Sequence, residues 1–221
     1  MKNFELRLDF RMMDANNLRE WTKIHREVFG VNVALYGCAA LDKELCASLP
    51  QFELYMDLEY WIAYHDGKAV GATGLYKIVG ESKNESWLGW FGVLPNEQGK
   101  GYGNEMLTWT EEFAKRERDA TVMRYYTEID KQGTREKALG LYRKHGFNEE
   151  YYYHPEAVNF PSKYGFQMIV GSKSLVGSEV PLWNNRYLDL ARNFNKAMTD
   201  NELNKFLTYT IKKLKRSKSC F

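Results

Sequence analysis

Three glycines at alternate positions stand directly before a stretch with helical periodicity. They lie in the segment Gln98-Gly99-Lys100-Gly101-Tyr102-Gly103, and from Asn104 onward apolar residues recur at helical spacing. Glycine accepts backbone angles that a side chain forbids, so successive N–H groups can face one ligand. At the start of a helix these N–H groups also lie at the positive end of the helix dipole, where an anion is stabilised. The segment therefore predicts a loop that binds a pyrophosphate.

Two common phosphate-binding motifs do not fit this segment. A P-loop needs a glycine five positions before its second glycine, and Ser or Thr directly after its lysine. Here Leu94 stands five positions before Gly99, and a glycine follows the lysine. A dinucleotide fingerprint that starts at Gly99 needs glycine at Asn104, and one that starts at Gly101 needs glycine at Met106. Both motifs are excluded.

A third spacing does fit, because Gln98, Gly101 and Gly103 match the pattern Gln/Arg-x-x-Gly-x-Gly/Ala. The loop also follows a predicted strand that ends in Val93-Leu94-Pro95. In these features the chain resembles the GNAT superfamily of acyl-CoA-dependent N-acetyltransferases. The family binds the pyrophosphate of coenzyme A with this loop and helix, so the resemblance implies acetyl-CoA as co-substrate. It implies coenzyme contacts from Val93, Leu94, Gln98, Gly99, Lys100, Gly101, Tyr102, Gly103 and Asn104.

A second segment supports the same resemblance. Ala138, Tyr142, Gly146 and Phe147 match a family helix with the pattern Ala-x3-Tyr-x3-Gly-Phe, and they follow the glycine loop at the family's distance. Glycine takes the left-handed conformation cheaply, so Gly146 is expected to end the helix. Arg135 stands where the family often has Asn, and it is expected to be a further coenzyme contact.

The reaction implied by the resemblance is attack of an amine on a thioester. An alkyl amine titrates at about 10.4, so it must lose a proton before it attacks. The family's strands separate near Val93 and leave a backbone N–H for the thioester carbonyl. Tyr142 is the expected acid for the departing thiolate, with packing of its ring under the sheet as the alternative. Glu128 is the expected base, although Asp130 and Glu85 also lie at predicted strand ends and solvated strand ends explain all three.

Several aromatic residues admit two interpretations. Trp87, Trp90, Tyr125 and Tyr126 are candidates for the wall of an acceptor pocket, and core packing is the expected role for at least half of them. His25 lies on the apolar face of a predicted helix and is expected to be a residue at the edge of the core, not a catalyst.

The order of predicted elements indicates an α/β (α+β) fold, with a GNAT-like mixed central sheet flanked by helices. Apolar alternation and periodicity define the elements. The strands are predicted at Phe4–Phe10, Glu59–Tyr64, Ala69–Val79, Ser86–Val93, Val122–Ile129, Phe147–Tyr153 and Gly165–Leu175, with a hairpin turn at Asp66-Gly67. The helices are predicted at Asp14–Phe29, Asp42–Ser48, Asn104–Arg118 and Glu136–Gly146. Val31–Leu41 has no clear period and is expected to be a mobile segment on the substrate side.

The C-terminal part differs from the rest, which predicts a GNAT-like domain over residues 1–175 and a helical extension over 176–221. The extension is expected to contain helices at Leu188–Met198 and Asp200–Leu214, the latter opened by a capping box of Thr199 and Glu202. Its apolar stripe is expected to pack on the domain or on a second subunit, which makes a homodimer possible. The basic tail over residues 212–218 is expected to be solvated.

Composition restricts the class of protein. The chain has 221 residues, 44% apolar and 15% aromatic, with a net charge of +2, which fits a folded globule and says little about partners. Cys38, Cys46 and Cys220 have no metal or disulfide spacing, so no metal and a reducing compartment are expected. No apolar run approaches the roughly 20 residues of a membrane span. A cytoplasmic protein without a membrane span is predicted, and a nucleic-acid partner is not expected.

These observations lead to one preferred function and two alternatives. The preferred function is acetylation of a primary amine by acetyl-CoA, through direct attack in a ternary complex. One alternative is a non-catalytic acyl-CoA-binding sensor, and another is a nucleic-acid-associated protein that uses its basic tail. The acceptor stays open among small amines, antibiotics, amino acids and protein termini.

Overall fold

The computed structural model describes residues 7–30, 33–49, 52–128, 136–154, 166–180, 182–183 and 199–218. Within these ranges the chain has the mixed α/β fold that the order of elements predicts, with mostly antiparallel strands. The strands are β1 Asp9–Met12, β2 Tyr55–His65, β3 Lys68–Ile78, β4 Glu85–Leu88, β5 Gly92–Val93, β6 Val122–Glu128, β7 Asn148–His154 and β8 Phe166–Ser174. The helices are α1 Leu18–Phe29, α2 Ala34–Leu41, α3 Lys43–Ser48, α4 Tyr102–Glu117, α5 Glu136–Lys144 and α6 Asp200–Lys218.

The described residues divide into two compact units. The first unit draws its residues from Met1–Val79, Gly89–Thr110 and Ala197–Phe221, and the second draws them from Gly80–Leu88 and Glu111–Lys196. Both units are therefore built from segments that are distant in the chain. The predicted division between residues 175 and 176 follows chain order instead, and it stays a prediction.

The first unit contains a sheet in which β2 lies between β1 and β3, while β5 pairs with the far edge of β3. The predicted hairpin is confirmed, and its turn residues Asp66 and Gly67 have φ of 50° and 74°. Positive φ at both central positions is what a type I′ turn requires, and this turn is common in two-residue hairpins. β1 begins at Asp9, later than the predicted strand Phe4–Phe10, of which residues 4–6 lie outside the described ranges.

Most of the segment Val31–Leu41, which has no clear period in the sequence, is helical, because α2 occupies Ala34–Leu41; its expected mobility stays a prediction. Its sequence is apolar on all sides, so it carries no amphipathic period that could be recognised. The helix is buried because it packs against α1, α3, β2 and α6. Gly37 permits the close approach, since a Cβ there would lie 2.5 Å from the Cδ1 of Leu18.

The short helix α3 and the long helix α6 both begin with side-chain caps, and the cap of α6 is the one that the sequence predicts. The carboxylate of Asp42 accepts the N–H of Leu45 at 3.2 Å. At the start of α6, the Thr199 N–H donates to the Glu202 carboxylate at 2.8 Å, and the Glu202 N–H donates to the Thr199 hydroxyl at 3.3 Å. This reciprocal pair is a capping box. The predicted helix Leu188–Met198 lies outside the described residues.

The apolar stripe of α6 is covered by the chain's own helices. Leu203, Leu207 and Thr210 are buried, and α6 packs against α1 and α2. The Lys213 ammonium bridges the carboxylates of Asp42 and Glu44, each at 2.8 Å. The stripe that the sequence offers for dimerisation is therefore used within the first unit.

The second unit contains a sheet in the order β4-β6-β8-β7, where β4 and β6 are parallel and the other pairs antiparallel. β6, β7 and β8 agree with the predicted strands to within about one residue at most ends. α5 ends at Lys144, and Gly146 has the left-handed φ of 83° that was expected of a helix stop. The Phe147 N–H then donates to the Tyr142 carbonyl at 3.1 Å, which closes the helix end.

Candidate active site

The glycine-rich segment forms a loop that leads into the first turn of α4. After β5 the chain makes a short 3-10 turn, Pro95–Glu97, and α4 begins at Tyr102. Gly99 and Gly101 have φ of 79° and 89°, in the left-handed region that side chains disfavour. A Cβ on Gly99 would meet no atom within 4 Å, so backbone conformation explains the need for glycine there.

Groups from distant segments hold this loop in place. The Gln98 amide donates to the Val93 carbonyl at 3.2 Å. The Arg7 guanidinium pairs with Glu105 at 3.1 Å and reaches the Lys100 carbonyl at 3.4 Å. Glu105 is buried, and its other carboxylate oxygen accepts the N–H of Leu8 at 2.6 Å. The N-terminal segment therefore anchors both the loop and the first turn of α4.

The charges around the loop leave it cationic. The Glu97 carboxylate lies between the ammonium groups of Lys68 at 2.6 Å and Lys100 at 2.7 Å. Hydrogen bonds from Lys100 and then Lys68 lower the pKa of Glu97 to about 2, and the same contact with Glu97 raises the pKa of Lys100. Glu97 and Lys100 are therefore both charged at neutral pH. Counting Arg7 and Glu105 as well, three cations face two carboxylates.

The backbone of the loop fits an anionic ligand such as a pyrophosphate. The first N–H groups of α4 have no partner within the helix, because an α-helix leaves its first four donors unused. They come from the start of α4, at Tyr102 and Gly103, and point out of the positive end of the helix, whereas the Glu105 N–H already donates to the Gly101 carbonyl at 3.2 Å. The Tyr102 ring is buried against Leu8, Ala63, Val70 and Met106, so its side chain is enclosed in the core, and its contact with the coenzyme stays a prediction.

The predicted strand Ser86–Val93 is interrupted, which corrects that prediction. The Gly89 N–H donates to the Gly74 carbonyl at 2.9 Å, whereas Gly92 is opposite Ala72. From Gly89 to Gly92 this segment advances by three residues, while β3 advances by two residues between the matching positions, Gly74 and Ala72. One residue is therefore extra, and the segment forms a β-bulge. Trp90 has a φ of 47°, an uncommon value for a residue other than glycine.

Beyond the bulge the chain continues as β5, where the backbone N–H groups of successive residues point to opposite sides of the strand. The Leu94 N–H donates to the Val70 carbonyl at 2.9 Å. Alternate residues of an antiparallel strand direct their N–H groups to opposite sides, so the Val93 N–H points away from β3. Val93 is half-buried and Leu94 is buried. Val93 therefore offers a backbone donor beside the glycine loop.

Helix α1 covers the bulge closely. A Cβ on Gly92 would lie 2.4 Å from Cγ1 of Val28, so only glycine fits there. The Phe29 ring packs edge-on against Trp90 with centroids 5.3 Å apart. His25 is buried, with Nε2 2.9 Å from the Trp90 carbonyl oxygen and Nδ1 2.8 Å from the Trp21 carbonyl oxygen. The prediction that His25 lies at the edge of the core is therefore too weak, because its ring is fully enclosed.

Burial of His25 leads to a pH-dependent stability. Desolvation lowers the pKa of His25 from 6.5 to about 4. Between these values the unfolded chain binds a proton that the folded chain does not, so stability falls as pH decreases from 6.5 towards 4. We expect this one group to remove about 2–3 kcal/mol between pH 7 and pH 4.5.

The measurement is urea unfolding of the wild type and of His25→Phe at both pH values. The carboxylates titrate alike in the two proteins, so the difference between them isolates His25. The wild type should lose more stability than the variant. Parallel losses in the two proteins would contradict the assignment.

In the second unit, Tyr142 lies on α5 in a cluster of aromatic rings. Its ring stacks on Tyr125 with centroids 4.1 Å apart, and Phe147 packs edge-on at 5.8 Å. Burial raises the pKa of Tyr142, so the hydroxyl keeps its proton at neutral pH.

Two of the four aromatic residues considered for an acceptor pocket, Trp87 and Tyr125, are buried in the core. This agrees with the expectation that at least half of the four pack in the core.

The remaining predicted site residues are only partly described. Glu128 is the last residue of β6, where its backbone is opposite Met168. Asp130 and Arg135 lie outside the described residues. The roles of Glu128, Arg135 and Tyr142 stay predictions. The described residues hold no group of three or more His, Cys, Asp or Glu side chains placed to bind a metal ion.

Four residues near the loop and the bulge were not expected from the sequence as parts of a site: Arg7, His25, Glu97 and Glu105. Arg7 and Glu105 are 98 positions apart in the chain, and His25 and Trp90 are 65 apart. No local pattern connects such positions. One signal was available in the sequence: Glu97 and Glu105 lie beside a loop that is expected to bind an anion. Carboxylates at such a place need neighbouring cations to neutralise them, so partners such as Arg7 could have been sought.

Comparison with known proteins agrees with this geometry. The family description "Acetyltransferase (GNAT) family" matches residues 19–147, which is more than half of the chain. The ribosomal-protein-S18-alanine N-acetyltransferase from Escherichia coli superposes with a TM-score of 0.52 at 16% identity, over 80% of this chain and 99% of that chain. Spermidine N-acetyltransferase from Vibrio cholerae, solved with CoA and spermine, has a TM-score of 0.52 at 13% identity, over 76% of this chain and 96% of that chain.

Two further comparisons add limits. No curated protein sequence matches the chain. Among the helices of the described ranges, none has the length and apolar content needed to span a bilayer. The two solved structures are less than 20% identical in sequence to this chain, so the comparison with them establishes the fold alone. Because the family description covers both the first helix and the helix that carries Tyr142, the chain belongs to the GNAT family of acetyltransferases.

Proposed function

We propose that this protein transfers an acetyl group from acetyl-CoA to a primary amine, by direct attack within a ternary complex. The observation that carries the proposal is the loop from Gln98 to Gly103, where left-handed glycines and the start of α4 present backbone donors beside cationic side chains. This arrangement suits the pyrophosphate of coenzyme A. Amine acceptors also appear in the names of the two similar structures, an alanine residue of a ribosomal protein and spermidine.

The chain's own residues divide the reaction into three tasks. The loop binds the co-substrate, with Gly99 and Gly101 allowing close approach of the backbone. Backbone donors near the bulge bind the thioester carbonyl, whose oxygen gains negative charge as the amine attacks. Such a donor contributes about 2.7–4 kcal/mol in enzymes where it has been removed. Val93 directs its N–H away from β3 and is suited to bind the arm of the co-substrate.

Proton transfer completes the proposed mechanism. The amine nitrogen forms a bond to the thioester carbon, and the carbon–sulfur bond breaks with its electron pair on sulfur. Tyr142 donates its hydroxyl proton to that sulfur, a role that its raised pKa permits because the proton is retained until transfer. Glu128 accepts the proton that the amine releases. Arg135 is proposed as a further coenzyme contact, and a cytoplasmic location stays a prediction.

The proposal is tested by release of free thiol from acetyl-CoA across a panel of primary amines, with calorimetric titration of acetyl-CoA alone. The wild type should bind acetyl-CoA and release thiol with at least one amine. Binding without turnover on any amine would favour the non-catalytic sensor. Failure to bind would refute the assignment of the loop.

Gly101→Val serves as the loop variant in the same experiment. A valine at a φ of 89° displaces the loop backbone and its N–H groups. Hydrogen bonds to charged groups contribute about 1.5–3 kcal/mol each, so losing one should weaken acetyl-CoA binding about 10- to 100-fold. Gly177→Val is the matched control, since Gly177 is also left-handed and surrounded by open space. Unchanged affinity in folded Gly101→Val would contradict the loop's role.

A further inference from the structure

The outward face of α6 carries positive charge that has no part in the proposed reaction. It presents Lys205, Tyr209, Lys212, Lys215 and Arg216, which together we call the basic face. These residues recur at intervals of three and four, so they lie on one side of the helix, and all five are exposed. At a rise of about 1.5 Å per residue, the basic face is roughly 16 Å long. Its charges are therefore spaced by a helix and not by a free tail.

Three lysines of the basic face have no carboxylate partner within the described residues. After Glu202, α6 contains no acidic residue. Neither an ion pair nor a hydrogen bond joins the side chains of Lys205, Lys212 or Lys215 to the ranges that the structure describes. Lys213 differs, because its ammonium is held between two carboxylates. The three lysines thus keep their charge available for an anionic partner.

Helix α1 extends the positive charge beside α6. The Arg19 guanidinium donates to the Thr208 hydroxyl at 3.2 Å, and Arg26 pairs with Asp200. A step forward along α1 therefore corresponds to a step backward along α6, so the two helices are antiparallel neighbours. Arg19 is exposed and lies level with the middle of the basic face. A ligand on α6 would meet this further cation as well.

An exposed tyrosine lies among these cations. Tyr209 is 61% exposed, and in the described part of the chain no other ring packs against it. An open groove beside it is lined by Asn201, Asn204, Lys205, Thr208, Tyr209 and Lys212. Surfaces of this composition bind single-stranded nucleic acids, because cations follow the phosphates and an aromatic ring stacks on a base. Amide side chains such as those of the groove also hydrogen-bond to phosphates and sugars.

The opposite side of α6 argues against a membrane as the partner. Amphipathic helices bind membranes by inserting an apolar face into the boundary between headgroups and acyl chains. The apolar side of α6, with Leu203 and Leu207, is already buried, because the helix packs against α1 and α2. The basic face alone is left for a partner, and a lipid headgroup has no flat ring to stack on Tyr209.

We propose that the basic face of α6 binds single-stranded nucleic acid, with its lysines at the phosphates and the Tyr209 ring stacked on a base. This function is separate from acetyl transfer and does not rest on it. It differs from the sequence-based expectation of a solvated tail without a nucleic-acid partner. The reason is that α6 holds Lys212 and Lys215 at fixed positions beside Tyr209, which a solvated tail would not do.

The test is the fluorescence anisotropy of labelled oligonucleotides of thymidine or uridine, about 12 nucleotides long, titrated with the full chain. At about 50 mM salt the wild type should bind with a dissociation constant of roughly 10⁻⁴ to 10⁻⁶ M. Each neutralised phosphate contributes about 0.7 to the slope of log affinity against log salt concentration. Contacts from three lysines should therefore give a slope of about −2.

Two variants separate stacking from charge. Tyr209→Leu keeps the charge and a helix-forming residue, and it should weaken binding about 5- to 150-fold without changing the slope. Lys205→Gln combined with Lys212→Gln should bring the slope from about −2 to about −0.6. The matched control is Lys115→Gln combined with Lys137→Gln, which removes the same charge from exposed positions on α4 and α5. This control should bind like the wild type.

Three results would overturn the proposal: no oligonucleotide binding by the wild type at about 50 mM salt, wild-type affinity in Tyr209→Leu, or equal weakening in the control pair. Vesicles of phosphatidylserine and phosphatidylcholine, and polyglutamate, are titrated in parallel. Binding of either one as tightly as the oligonucleotides, with no effect of Tyr209→Leu, would assign the basic face to an anionic membrane or an acidic protein instead.

Discussion

Tyr142→Phe is expected to lower the turnover number about 10²- to 10⁴-fold, which is the usual contribution of a general acid or base. The substitution removes the hydroxyl that is proposed to protonate the thiolate. It keeps the ring, so stacking on Tyr125 and the edge contact with Phe147 should persist. Affinity for acetyl-CoA should change little, because the glycine loop supplies the pyrophosphate contacts. The measurements are steady-state kinetics, calorimetric titration and the melting temperature.

Tyr125→Phe is the matched control for this prediction. Its ring is the stacking partner of Tyr142, and its hydroxyl reaches the Glu149 carboxylate at 3.4 Å. The control therefore removes a buried hydroxyl from the same aromatic cluster without touching the proposed acid. It should retain turnover within about threefold. Equal turnover in wild type and Tyr142→Phe would mean that Tyr142 is a core residue and that another group, or water, protonates the thiolate.

The features that the sequence predicted correctly depend on neighbours in the chain. The turn at Asp66-Gly67, the capping box of Thr199 and Glu202, and the helix stop at Gly146 are each set by residues within a few positions. The left-handed backbone of the glycine loop is local in the same way, since it depends on Gly99 and Gly101 themselves, whereas Arg7 from a distant segment helps to hold the loop in place and its ligand stays a prediction. Local rules of this kind work without knowledge of the fold.

The features that were missed depend on contacts between distant segments. α2 has no periodic pattern because other elements cover it on several sides, and a buried helix needs no polar face. The bulge at Trp90 cannot be recognised in a run of apolar residues, since it is defined by the register with β3. The ties from Arg7 to Glu105 and from His25 to Trp90 are likewise made by folding.

The second large effect is expected from the ion pair of Glu85 and Arg124, which lies inside the second unit. The Arg124 side chain is only 2% exposed and that of Glu85 only 10% exposed. The guanidinium forms two hydrogen bonds to the carboxylate, at 2.9 Å and 3.2 Å, and a third to the Ser172 hydroxyl at 2.5 Å. The pair joins the parallel strands β4 and β6 with β8.

Glu85→Ala is expected to lower the free energy of unfolding by about 3–5 kcal/mol, because it leaves a buried guanidinium charge without its counter-ion. Glu136→Ala is the control, since Glu136 pairs with Arg143 at the surface and its side chain is 64% exposed. An exposed pair contributes at most about 1 kcal/mol. Urea unfolding of the three proteins gives both differences.

A double variant tests the reason for the loss. Glu85→Leu with Arg124→Met removes both charges and fills the space with apolar atoms, so most of the lost stability should return. If the double variant is as unstable as Glu85→Ala, the loss comes from packing and not from an uncompensated charge. A Glu85→Ala variant no less stable than Glu136→Ala would mean that water reaches Arg124. The strand that carries Glu128 would then depend on its backbone pairing with β8, and not on this ion pair, for its position.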